Sequence, residues 1–107
     1  MQKIQLKKFG NILVSRSDGL EAFKAILPQL DPNTLVEIDF SDVLTVTPSW
    51  LDEFLIRLTD FNNGKVDLLP TNNPSVLITL PVLAKARKDL VADVINKYMD
   101  KMGIKRD

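Results

Sequence analysis

Apolar and polar residues alternate along this chain with two different periods, and each change of period marks an element. From Leu35 to Ser41 the period is two: Val36, Ile38 and Phe40 fall on one face and Glu37, Asp39 and Ser41 on the other. That is the pattern of a strand with one buried face. From Trp50 the period becomes helical. Trp50, Leu51, Phe54, Leu55, Leu58 and Phe61 form an apolar stripe, and Asp52, Glu53, Arg57 and Asp60 take the remaining positions. A strand, a short turn and an amphipathic helix packed back on the sheet are predicted as the centre of the fold.

The flanking segments follow the same logic. In Lys3 to Phe9, Ile4 and Leu6 alternate with Lys3, Gln5 and Lys7, which predicts an edge strand with a wet outer face. Gly10 and Asn11 give a two-residue turn signal before Ile12 to Ser15, so a β-hairpin is expected. Ser17 or Asp18 can cap a helix with apolar side Leu20, Phe23, Ile26 and Leu27, which Pro28 ends or kinks. After the central helix, Asn62, Asn63 and Gly64 stop the pattern, with Gly64 suited to a left-handed position just past the helix end. Lys65 to Leu69 reads as another strand and Pro70 to Pro74 as a polar loop. From there on the chain reads as helix, interrupted at Pro81, which is expected either to follow a short first turn or to open a fresh helix, with Leu83, Leu90, Val91, Val94, Ile95, Tyr98 and Met102 in one broad stripe.

The predicted order is therefore β-β-α-β-α-β-α. It implies an α/β fold with a mixed, mostly parallel sheet of about four strands and right-handed crossovers. Because the strands alternate rather than run continuously apolar, helices are expected on one face only. The other, open face should carry Glu37, Asp39, Asp67 and the lysines of the first strand.

Composition narrows the chemistry. The 107 residues, 45% of them apolar, suit one domain spanning residues 1–107. Fourteen basic and fourteen acidic residues cancel, so no overall field gathers nucleic acid or an anionic membrane. The charge is unevenly placed: residues 31 to 60 carry seven acidic side chains and one basic, whereas both ends are basic. With no cysteine and no histidine, thiol nucleophiles, zinc-thiolate sites and the commonest general base are excluded, and an enzyme is not expected. The first residues lack an apolar leader and no apolar run could span a bilayer, so a cytoplasmic location is expected.

Candidate functional residues cluster at the start of the central helix. Ser49 with Asp52, or Thr47 with Pro48, fits a capping pattern, and Ser49 is also a candidate switch residue. A phosphate there would gain from the helix dipole but meet Asp52 and Glu53 in the same turn. Trp50 is either core packing or, if exposed, a partner anchor. Asp39, Asp42, Asp52 and Glu53 show no defined ligand spacing, so no metal is expected. Arg16 could engage an anion or pair with a carboxylate. Asn72 and Asn73 would cap the last helix, and without a glycine-rich phosphate cradle no nucleotide or other cofactor is expected. The basic residues Lys85, Arg87, Lys88, Lys97, Lys101, Lys105 and Arg106 are interleaved with Asp89, Asp93 and Asp100, which reads as a solvated helix face with no nucleic-acid or membrane partner.

The stretch VEIDFSDVLTVTPSWLDEFL resembles the signature of STAS domains, the family of bacterial anti-sigma-factor antagonists. More closely, the order of ILVSR, IDFSDV, DEF and NNPSV over roughly residues 11 to 90 resembles the small STAS-like group of bacterial domains of unknown function. In the antagonists an Asp-Ser-Ser-Gly turn carries a serine phosphorylated by a partner kinase that is also the anti-sigma factor. Here Thr47, Pro48, Ser49 and Trp50 stand at those positions, so the serine is kept while the acidic residue and the glycine are replaced. The resemblance implies a regulatory module, monomeric or weakly dimeric, that binds a kinase-type ATPase or an anti-sigma-like regulator through Thr47, Ser49, Trp50, Asp52 and Glu53. The alternative is a small-ligand or minor enzymatic domain using carboxylates at the carboxyl ends of the parallel strands.

Overall fold

The computed structural model describes residues 1–105; Arg106, assigned above to the last helix, lies outside them, as does Asp107. The elements run β1 (Gln2–Gln5), β2 (Ile12–Leu13), α1 (Arg16–Ile26), β3 (Val36–Asp39), β4 (Thr45–Val46), α2 (Pro48–Asn62), β5 (Val66–Leu68), α3 (Pro74–Ala86) and α4 (Leu90–Lys101). Two parallel sheets form, one ordered β1-β3-β5 and the other β2-β4. The fold is thus α/β as expected, but every strand pairing is parallel where a mixed sheet was predicted, and β4 was not anticipated.

The predicted N-terminal hairpin is absent. Leu6 to Phe9 instead wind into a 3-10 turn that buries Leu6. The chain then continues along the sheet rather than reversing, and β2 pairs with β4 in the register Ile12 to Thr45 and Leu13 to Val46. The turn carries Phe9 against Trp50 and Phe54, with ring centroids 6.1 and 6.0 Å apart. A two-residue reversal would have taken that ring away from the core, so burial overrides the local turn signal.

The central element is as its periods require. Val36, Ile38 and Phe40 are buried, as are Trp50, Leu51, Phe54, Leu55 and Leu58 of α2, within an apolar cluster that draws on all the strands and helices named above. On the other face the register aligns Lys3, Glu37 and Asp67 in a row across β1, β3 and β5, with Glu37 and Asp67 half-buried. Asp39, expected on that open face, is buried: its carboxylate accepts from the Ser41 amide at 2.9 Å and lies 3.7 Å from the Lys3 ammonium.

Helix α1 begins two or three residues earlier than predicted. Its cap is Ser15, whose hydroxyl accepts from the Asp18 amide, rather than Ser17 or Asp18. It ends at Ile26, and Pro28 lies in the following 3-10 turn. Helix α2 closes on Asn63 and Gly64, both at positive φ. The C-terminal helical region is two helices. α3 starts at Pro74, capped by the Asn73 side chain on the amides of Ser75 and Val76, and it carries Pro81 in its interior rather than at its start. The chain then extends at Arg87, and Asp89 caps α4 by accepting from Val91 and Ala92. No helix among the described residues is long and apolar enough to cross a membrane.

Candidate functional site

The start of α2 is fixed by Thr47 and Pro48. Thr47 is extended, and its hydroxyl oxygen accepts from the Trp50 amide at 3.4 Å; Pro48 occupies the first turn, where a missing N–H costs nothing. The capping duty that either Ser49 or Thr47 could serve thus falls to Thr47. The Ser49 hydroxyl has no hydrogen-bond partner among the described residues, and Ser49 is exposed.

Ser49 stands at the rim of a shallow depression of about 390 Å³, lined also by Arg16, Pro48, Asp52, Leu83, Ala86 and Arg87. Three elements supply this surface: the first residue of α1, the first turns of α2, and the end of α3 with the link to α4. Its polar part is a chain of alternating charges. Arg57 Nε donates to Glu53 at 2.7 Å, and Arg16 bridges Glu53 at 3.3 Å to Asp52 at 2.8 Å. Arg87 then grips Asp52 through Nε and, at 2.9 Å, through a second guanidinium nitrogen, and reaches Asp89 at 2.7 Å with the third. Three cations and three anions close the network with no net charge.

Both carboxylates at its centre are buried, Asp52 at 7% exposure and Glu53 at 8%, and burial alone would favour their neutral forms. The hydrogen bonds win. Arg87, then Arg16, hold the Asp52 carboxyl below its ordinary range, and Arg57, then Arg16, do the same for Glu53. Asp52 in turn raises the already high pKa of Arg87. The repulsion that the sequence predicts between these carboxylates and a phosphate on Ser49 is therefore offset by the surrounding guanidinium groups.

Of the five residues expected at a partner surface, Ser49 alone is exposed. Thr47 is half-buried in its cap, Asp52 and Glu53 are covered by the arginines, and Trp50, at 1% exposure, stacks on Phe54 with centroids 5.0 Å apart. Arg16 takes the pairing role weighed for it. Arg87, assigned from the sequence to a solvated helix face, is a central member of the network. Its extended backbone between α3 and α4 is what turns it toward α2, and the sequence carries no periodic signal for that.

A second depression, about 730 Å³, lies where the carboxyl ends of β3 and β5 open, between residues 40–44 and 70–74. Its one carboxylate is Asp42, which is exposed and pairs with Lys7 at 3.2 Å. The Asn73 amide spans its floor, donating to the Val43 carbonyl at 2.6 Å. Among the described residues no group of three acidic side chains could hold a metal ion. Comparison of the chain with protein-family models, curated proteins and solved structures gives no match.

Proposed function

We propose that this protein is a STAS-like regulatory module that binds a signalling protein through the surface at the start of α2, with Ser49 as its modifiable centre. The observation that carries this reading is the unengaged, exposed hydroxyl of Ser49 beside the guanidinium groups of Arg16 and Arg87. Relieved of capping by Thr47, the hydroxyl is not required by the helix it stands on. A kinase-type ATPase or an anti-sigma-like regulator is the partner class that the sequence resemblance brings with it, and a cytoplasmic location fits such a partner.

The surface has the form a switch needs. The unmodified patch is electrically balanced; a phosphate adds roughly two negative charges at neutral pH. Arg16, half-exposed and already shared between two carboxylates, can turn toward that phosphate and loosen its hold on Asp52 and Glu53. A partner that fits the balanced surface then meets an acidic one.

The test is affinity capture with wild type, Ser49→Ala and Ser49→Asp as baits, with the intact mass of each recovered bait recorded. Retention of one protein by wild type and Ser49→Ala, its loss with Ser49→Asp, and a phosphorylated fraction in wild type alone support the switch. Equal recovery by all three baits, with no phosphate, removes Ser49 from the function.

A further inference from the structure

We infer that the outer face of α3 is a self-association surface, on which a second copy of this chain packs its own α3 antiparallel about a twofold axis. The inference does not depend on the role of Ser49. Over its 13 residues α3 carries a single charge, Lys85, and has apolar residues on every side. A helix of that composition is normally covered all round. Here Val76, Leu80 and Leu83 face the core, but Ile78 at 70% and Val82 at 52% exposure stand one turn apart on the opposite side. Leu44, at 66%, is exposed in the loop that the Asn73 side chain holds against the start of the helix.

The two ends of this face differ in charge. At the carboxyl end Lys85 is exposed and pairs with no carboxylate among the described residues. At the amino end Pro74 and Asp42 share the depression at the ends of β3 and β5, and the exposed Asp42 carboxylate pairs only with the exposed Lys7 ammonium, at 3.2 Å. Such a surface pair contributes little, and a carboxylate has lone pairs to spare for a second cation.

These features select a second copy and set its direction. With the helices antiparallel about an axis level with Leu80, Ile78 of each copy lies against Val82 of the other. Lys85 of each copy comes level with Ser75 of the other, beside Pro74 and at the end where Asp42 stands. One contact then covers the apolar centre and pairs both charged ends twice over, the self-complementarity that a twofold interface demands. Parallel helices would instead set Lys85 against Lys85. The exposed parts of Leu44, Ile78 and Val82, with Pro74 beside them, amount to roughly 400 Å² per copy, about half of what a stable interface takes from each partner. The dimer is therefore reversible, with a dissociation constant on the order of 100 μM.

The test is sedimentation equilibrium of the full chain from micromolar to millimolar concentration, where a reversible monomer–dimer equilibrium is expected. Ile78→Lys should weaken association by at least about tenfold. It should keep the wild-type urea midpoint, because that side chain already stands mostly in water. Lys85→Gln and Asp42→Asn should each weaken association by about threefold, and the double variant by no more than either alone. Asparagine suits the left-handed backbone of position 42, at φ 64°. A chain that stays monomeric at millimolar concentration would overturn the inference and leave α3 to a different protein. So would a dimer that Ile78→Lys leaves intact, since it would use another face. Losses that multiply in the double charge variant would mean that Lys85 and Asp42 do not meet, and would overturn the antiparallel pairing.

Discussion

Arg87 holds Asp52 with two guanidinium nitrogens at once, tying the link between α3 and α4 to the first turns of α2 across 35 positions of sequence. Asp52 also receives Arg16 from the start of α1, so one carboxylate joins three elements. Replacing it leaves two guanidinium groups without their shared acceptor. Asp52→Asn, a near-isostere, is therefore expected to destabilise the fold by about 1–3 kcal/mol, the partial exposure of both arginines keeping the loss below that of a fully buried pair. Arg57→Ala, which removes the half-exposed partner of the buried Glu53 but leaves Arg16 on that carboxylate, should cost less, about 0.5–1 kcal/mol. Urea denaturation of the two variants decides between a connected network and a set of independent surface pairs.

Thr47 and Ser49 make an internal comparison. Thr47→Ala removes the cap on the Trp50 amide and should cost about 1 kcal/mol. Ser49→Ala removes an unengaged surface hydroxyl and should stay within about 0.5 kcal/mol of wild type. Thermal or chemical unfolding measures both. A larger loss for Ser49→Ala would mean that Ser49 serves α2 structurally, which would remove the ground for treating it as a switch.

Gly19 sets the distance between α1 and α2. A Cβ built there would lie 2.4 Å from the Trp50 carbonyl oxygen, a backbone atom that can move only with its helix. Alanine at this position gains helix propensity, about 1 kcal/mol, but forces the two helices apart. Overpacking of this kind costs about 1–3 kcal/mol, so Gly19→Ala should be destabilising overall. A neutral or stabilising result would show that the α1–α2 contact is loose.

The parts of this architecture that were legible in the sequence are those held by local periodicity. The two-residue period of Val36, Ile38 and Phe40 and the helical stripe from Trp50 to Leu58 each commit enough residues to one face to fix an element. The cap of α3 by Asn73 was legible for a similar reason: the signal is a side chain and its own neighbours. What failed was long-range or too short. β2 and β4 have two residues each, fewer than a period can mark, and they pair across more than thirty positions. The break between α3 and α4 was hidden because Leu83 and Leu90 are seven residues apart, so the apolar stripe stays in helical phase across a non-helical link. Arg87 falls in that link, and so the centre of the candidate site was invisible where Ser49, beside it, was not.

The charge network also fixes how stability depends on pH. Asp52 and Glu53 ionise in the folded protein below their ordinary values of 3.8 and 4.5, held anionic chiefly by Arg87 and Arg57 respectively. Asp39 lies on the same side of its ordinary value, lowered first by the Ser41 amide. With folded pKa values depressed, the unfolded chain takes up protons first as the pH falls. The stability these groups supply is thus complete above the ordinary carboxylate range and drains away as the pH drops through it. The urea midpoint should be flat from about pH 7 to about pH 5 and fall steeply below about pH 4.5. Asp52→Asn should start lower at pH 7 and fall less steeply, since the group it lacks can no longer take up a proton, and Ser49→Ala should follow the wild-type curve. Parallel acid limbs for wild type and Asp52→Asn would mean that Arg87 and Arg16 add nothing to the stability of the ionised pair.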